Sequence, residues 1–195
     1  MLTTTLFALP ALASTFPAAD AEWREVSGGD PRIECTTVGT EPWCRSTGLV
    51  QAPLDLVTAT LTDMPAHQEL FDSIVRIDVL EPDTMHIVLD FPPPLSDRDY
   101  VARYTRQDHD DVRVVRWEAV VHDGAPEADG VVRLPRMAGE WQLTAAGAGT
   151  RVVYLWEADV LGNLPSFTQN KARSIAGGKA LEDIRKASAA VARGG

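Results

Sequence analysis

A chain of 195 residues, 45% hydrophobic and 24% charged, is long enough to bury one sizeable core and has the balance of a globular domain. With Lys+Arg 18 against Asp+Glu 28 the net charge is -10, and no Lys/Arg cluster interrupts it. That excludes a nucleic-acid binder and argues against tight docking on anionic lipid, while no apolar run approaches the roughly 18 residues that span a bilayer as a helix.

The first 21 residues, MLTTTLFALPALASTFPAADA, contain no Lys or Arg. Leu6 to Ala13 reads as a short apolar h-region, and Ala19-Asp20-Ala21 has the A-x-A form of a cleavage site. Residues 1–21 are therefore read as a secretory signal or a loosely ordered leader, although a positive n-region is missing. Residues 22–195 form the domain. In ECTTVGTEPWCR, Cys35 and Cys44 flank a turn-like Gly39-Thr40-Glu41-Pro42. If the hairpin turns between Gly39 and Thr40 the two cysteines face one another, and a Cys35–Cys44 disulfide is geometrically allowed; two buried thiols are the alternative. Two cysteines without a matching His pair are not a zinc site, and no other metal spacing is present. Leader and disulfide both point to an oxidising compartment, periplasmic or secreted.

Trp23–Val26 and Arg32–Thr36 read as opening strands, and Arg45–Val50 closes the cysteine hairpin. Pro53 starts a helix, PLDLVTATLTDM, with Asp55 at its positive end and Leu54, Val57, Leu61 and Met64 on one side. Pro65 breaks it, and a second short helical turn covers His67 to Ser73. From Ile74 the period becomes two. Ile74–Leu80 is a strand; Met85, Ile87, Leu89 and Phe91 then share a face opposite His86, Val88 and Asp90. After the prolines, Tyr100, Ala102 and Tyr104 oppose Val101, Arg103 and Thr105. Val115, Trp117, Ala119 and Val121 oppose Arg116, Glu118 and His122. A loop over 123–130 leads through VVRL to GEWQLT and TRVVYLWEAD, which pair around Ala145–Gly149. Pro165 opens a long helix with Phe167, Ile175, Leu181, Ile184 and Val191 as its apolar stripe, and Gly177-Gly178 in the middle marks close backbone packing or empty space.

Adjacent strands joined by short turns predict an α+β fold: a meander forming a curved antiparallel sheet, two short helices after the third strand, and the long terminal helix across the concave face. Such an architecture leaves room for an elongated apolar cavity between helix and sheet. Pro92, Pro93 and Pro94 stiffen one connection at its end.

Pro-Leu-Ser-Asp-Arg-Asp-Tyr-Val (94–101) resembles the strand-opening Arg-Asp-aromatic-Val motif of START lipid-transfer domains. GEWQLTAAGAGTRVVYLWEADVLGNLP (139–165) is similar to their last hairpin, in which a Thr-basic-Val segment leads through Tyr and Asp to a Gly-x-Leu-Pro that opens the terminal helix. The leader and acidic charge resemble those of exported bacterial members. The resemblance covers about residues 22–192 in element order and implies a helix-grip fold, shared with polyketide cyclase-like proteins, holding one hydrophobic ligand such as a lipid, fatty acid or sterol for transfer, storage or sensing. Wall positions are then Leu89, Phe91, Tyr100, Tyr104, Trp117, Trp141 and Tyr154 on the sheet, and Phe167, Ile175 and Gly178 on the helix. Pro92, Pro93 and Pro94 form a stiff lid, with Asp97, Arg98 and Asp99 as an ion-paired hinge. Steroidogenic members carry an internal Glu and Arg where Leu89 and Tyr104 stand here, so a charged anchor for a sterol hydroxyl is not implied. The expected partner is a hydrophobic small molecule bound by a monomer with no cofactor, no nucleic acid and only transient membrane contact.

The alternative is a cyclase-like or hydrolytic enzyme of the same fold, using a cavity Tyr or Asp on a hydrophobic substrate. No nucleophile elbow or glycine-rich phosphate loop is present, and the histidines are dispersed: His86 and His122 on polar strand faces, His109 in a turn, His67 near a short helix. A third reading is an interaction module with a filled core.

Overall fold

The structure, a computed structural model, describes residues 16–91, 93, 95–157 and 166–194; within the last stretch the side chains of 173 and 175–191 are described. The first hairpin forms where the alternating pattern meets a two-residue turn. Here β2 (Arg32–Val38) and β3 (Glu41–Val50) pair around Gly39-Thr40, with Gly39 at φ 62° in the left-handed conformation that glycine tolerates. The register sets Cys35 opposite Cys44, and their sulfurs are bonded. A short β1 (Arg24–Ser27) pairs with β2 at the sheet edge.

Helix α1 (Leu54–Thr62) follows Pro53 and buries Val57, Thr58 and Leu61. Its threonines are accommodated because Thr58, Thr60 and Thr62 return their hydroxyls to the carbonyls of Leu54, Leu56 and Thr58 at 2.7, 2.9 and 2.9 Å. Pro65 ends the α-helical path. A 3-10 turn, Met64–Ala66, leads directly into α2 (His67–Leu70).

Eight of the elements that follow are the strands β4 (Ile74–Glu81), β5 (Thr84–Leu89), β6 (Arg98–His109), β7 (Val112–Ala119), β8 (Val132–Arg133), β9 (Ala138–Ala146) and β10 (Gly149–Glu157), and the helix α3 (Ser166–Gly194). Among the described residues the strand order is β1-β2-β3-β10-β9-β7-β6-β5-β4, antiparallel throughout, with β8 added parallel to β6. The expected α+β architecture is present: a curved antiparallel sheet, two short helices after the third strand, and a long C-terminal helix on the inner face.

The core lies between that inner face and the helices, where Val57, Leu61, Met85, Ile87, Trp117, Leu143, Leu181 and Ile184 are buried together. Helix α3 buries Gly177, Leu181, Ile184 and Ser188, spaced by four, three and four residues. The apolar stripe expected through Ile175 and Val191 is displaced: these are 57% and 52% exposed. Ile175 precedes Gly177 by two residues, roughly 200° of helical rotation, and so faces away from the sheet.

The outer face is more covered than strand alternation predicts. His86 and Val88, read as part of a polar face, are buried, and so are Asp99 and Val101. The reason is the connection from β7 to β9, which folds back across β6, β5 and β4. Its His122 Nε2 lies 3.4 Å from Glu81 Oε1, and Val132 and Leu134 donate backbone hydrogen bonds to Asp97 and Asp99 at 2.9 and 2.8 Å. A second outer-face cluster joins Trp43, Ala138 and Leu155 to Trp23 and Phe16. Phe16, inside the stretch read as a leader, packs against Trp43 with tilted rings whose centroids are 4.8 Å apart, and Arg116 lies 4.0 Å over its ring.

Candidate functional site

Four adjacent strands place aromatic residues on the inner face in register. Tyr104 of β6 pairs with Trp117 of β7, and Trp141 of β9 pairs with Tyr154 of β10. The period-two pattern sends all four to the same side. Ring centroids are 6.2 Å apart for Tyr104–Trp117, 5.8 Å for Trp117–Tyr154, 4.0 Å for Trp141–Tyr154 and 4.7 Å for Tyr154–Trp156. Phe71 continues this belt from the helical side, stacked 6.1 Å from Trp141. Its other end meets α3: a Cβ at Gly177 would fall 2.5 Å from the Trp156 ring. Gly177 is the glycine of close packing, whereas a Cβ at Gly178 meets nothing within 4 Å.

Next to the belt the wall becomes small. Ala102 pairs with Ala119, and both face inward between Tyr100 and Tyr104 on one side and Trp117 on the other. Tyr100 is buried; Tyr104, Ala119, Tyr154 and Leu89 pack on the same core yet keep part of their surface accessible. Burial pushes the phenols of Tyr100 and Tyr154 far up, and Tyr104 likewise, with Tyr100 and Tyr154 near enough to add to it.

Of the expected wall positions, Leu89, Tyr100, Tyr104, Trp117, Trp141 and Tyr154 thus gather on one surface. Phe91 lies just past β5, with the Arg98 guanidinium 4.7 Å from its ring centroid. Gly178 opens on space, Ile175 points to solvent, and the side chain of Phe167 lies outside the described residues. Pro92 and Pro94 of the expected lid also lie outside them; Pro93 is exposed.

The hinge acids divide between faces. Asp97 accepts the Phe91 N–H at 3.3 Å. Arg98 starts β6 on the inner side and donates to the Ser96 carbonyl. Asp99, one residue on, faces outward, where Arg133 grips both carboxylate oxygens at 2.8 Å and His86 Nε2 lies at 2.7 Å. Burial alone would raise the Asp99 pKa, but the hydrogen bonds from Arg133 and His86 outweigh it and hold the carboxyl below its ordinary value. This cluster pins the β7–β9 connection to the sheet.

Sequence reasoning missed Phe71 and His67. Helix α2 is four residues long, so it carries no periodicity to mark an inner face. His67 is buried edge-on to Phe71 and Tyr104, with centroids at 5.2 and 6.2 Å. Its Nε2 donates to the Leu61 carbonyl at 3.1 Å, and burial lowers its pKa from 6.5 to about 4. A separate surface groove of about 400 Å³, lined by Leu54, Asp108, Asp110, Asp111, Arg113 and Thr144, lies at the β6–β7 turn, away from the belt. Among the described residues no group of His, Cys, Asp and Glu is arranged to hold a metal.

An uncharacterized protein of Pseudomonas aeruginosa is 35% identical over 83 residues; the match spans 42% of this chain and 41% of that protein's length. The STAR-related lipid transfer protein of Xanthomonas axonopodis is similar in structure with a TM-score of 0.74 and 25% identity, over 85% of this chain and 98% of that one. Human StAR-related lipid transfer protein 5 shares the fold with a TM-score of 0.78 and 14% identity, over 88% of each chain. The START domain family model matches residues 11–193, nearly the whole length, and the chain belongs to the START domain family.

Proposed function

We propose that the protein holds one hydrophobic ligand in an interior space between α3 and the inner face of the sheet, as a binding and transfer protein rather than an enzyme. The observation that carries this reading is the state of Tyr104 and Tyr154. Both side chains pack against the buried core on the inner face, yet both keep accessible surface. Surface at that depth fits an interior space. The small Ala102–Ala119 pair and the open position beside Gly178 supply room for it. Removing apolar surface from water gains roughly 25 cal/mol per Å², so an aromatic-lined space of this kind binds without polar chemistry. Family membership and the likeness to a STAR-related lipid transfer protein support the same role. Pro93 and the Arg98–Phe91 stack form the rim of this space in our reading. The Cys35–Cys44 bond supports an oxidising setting, and export is the route we propose.

Pyrene, an uncharged apolar fluorophore excited through the tryptophans of the belt, tests the reading. Wild-type protein should take it up saturably, one per chain. Ala119→Phe, which fills the proposed space, should weaken uptake at least tenfold while leaving thermal unfolding cooperative. Equal uptake by the filled variant would contradict an interior site.

A further inference from the structure

We infer that this interior carries a neutral polar anchor, made by His67 with Tyr100, Tyr104 and Tyr154, which selects a lipid ending in an uncharged hydroxyl and turns away a carboxylate. The inference rests on the reading above that the interior holds a hydrophobic ligand.

The tautomer of His67 carries the argument. A carbonyl oxygen only accepts, so the 3.1 Å contact between His67 Nε2 and the Leu61 carbonyl places the ring hydrogen on Nε2. Nδ1 is then a lone-pair acceptor, and it has no hydrogen-bond partner among the described residues. Burial keeps the ring neutral, with its pKa lowered to about 4. The ring stands edge-on to Tyr104 on the belt.

The tyrosines repeat the pattern. Tyr100 and Tyr104 flank Ala102 on the inner face of β6, and Tyr154 lies across the belt on β10. Among the described residues none of the three hydroxyls has a hydrogen-bond partner, although Tyr100 is only 6% exposed. None of the four atoms is among the sealed, unpartnered ones, so each is open to a hydroxyl that enters the interior, whether of water or of a ligand.

Donor and acceptor counting then chooses the partner. A phenol donates or accepts, but His67 Nδ1 can only accept. A hydroxyl end satisfies both, giving its hydrogen to Nδ1 and receiving one from a tyrosine. A carboxylate sets its lone pairs against that of Nδ1 and brings a charge into a space with no cation among these four groups. Arg98, on the inner side where β6 begins, is engaged by the Ser96 carbonyl and the Phe91 ring.

The test uses one alkyl chain with three ends: dodecanol, dodecane and dodecanoate, each competing with pyrene for the full-length protein near neutral pH. Dodecanol should bind about tenfold tighter than the other two, the size of one or two net hydrogen bonds. Tyr104→Phe and His67→Gln, the latter keeping a donor for the Leu61 carbonyl, should each bring dodecanol toward dodecane and leave dodecane unchanged. The dodecane affinity reports that each variant remains folded. A preference for dodecanoate, or an alcohol preference that survives both variants, overturns the anchor and leaves the hydrophobic interior standing. Failure of wild-type protein to bind pyrene or any of the three chains overturns both.

Discussion

His67 has a carbonyl at one ring nitrogen and aromatic edges around it, so protonating the folded protein at this position is costly. Its folded pKa, about 4, lies below the ordinary 6.5. The unfolded chain therefore binds the proton first, and the stability of the neutral form is complete above pH 6.5 and lost as pH falls toward 4. The full loss is about 3 kcal/mol. Urea unfolding at several pH values should show this slope in the wild type and not in His67→Gln; parallel pH profiles for the two would place the imidazole in water. Single residues were legible in the sequence where alternation governs them, as at Tyr104, Trp117, Trp141 and Tyr154. His67 was not, because nothing in MPAHQELF distinguishes a histidine turned inward from one in solvent. The sequence suggests Asp99 and Arg98 as neighbours in one clamp, but alternation puts consecutive strand residues on opposite faces, and Arg133, 34 positions along, is the partner of Asp99.

At the scale of elements, α3 separates the two readings of its glycine pair. Gly177 rests on the Trp156 ring, whereas Gly178 has open space. Alanine is favoured over glycine in a helix interior by about 1 kcal/mol. Gly178→Ala should therefore raise the urea midpoint, by about 0.5–1 kcal/mol in stability. Gly177→Ala should lower it, since the added methyl must displace a packed indole, typically at about 1–3 kcal/mol. Equal gains from both would mean that the helix does not seat on Trp156. The strands were legible in the order and pairing of their patterns, down to Cys35 opposite Cys44. The cover on the outer face was not, because the segment from Val120 to Met137 has no period of its own. Its position is set by Arg133, Ala125 and the backbone bonds of Val132 and Leu134 to β6. The helix stripe failed at Ile175 because the surface α3 packs on is itself a product of the fold, and a glycine, not the nearest large apolar residue, makes the closest approach.

For the molecule as a whole, both faces of the sheet are built, but for different ends. Part of the outer face is covered, by the Asp99–Arg133–His86 cluster and by Trp43 with Trp23 and Phe16. The inner face is aromatic, partly accessible at depth, and floored with alanine. An asymmetry of that kind is what a container requires: one face to stabilise the shell, the other to leave room. The resemblance carried by residues 94–101 and 139–165 led to the same architecture that the strand and helix patterns predict. The proposed space could not be read from sequence, since it depends on how far α3 stands from the sheet at each point along the belt. The most direct measurement is native mass spectrometry of the purified full-length chain, followed by solvent extraction and identification of what is released. A container predicts a one-to-one adduct that extracts as a hydrophobic molecule, bearing a hydroxyl where the anchor selects it, and an extracted protein that takes up one equivalent of dodecanol. A bare mass before and after incubation with dodecanol and dodecane would contradict it.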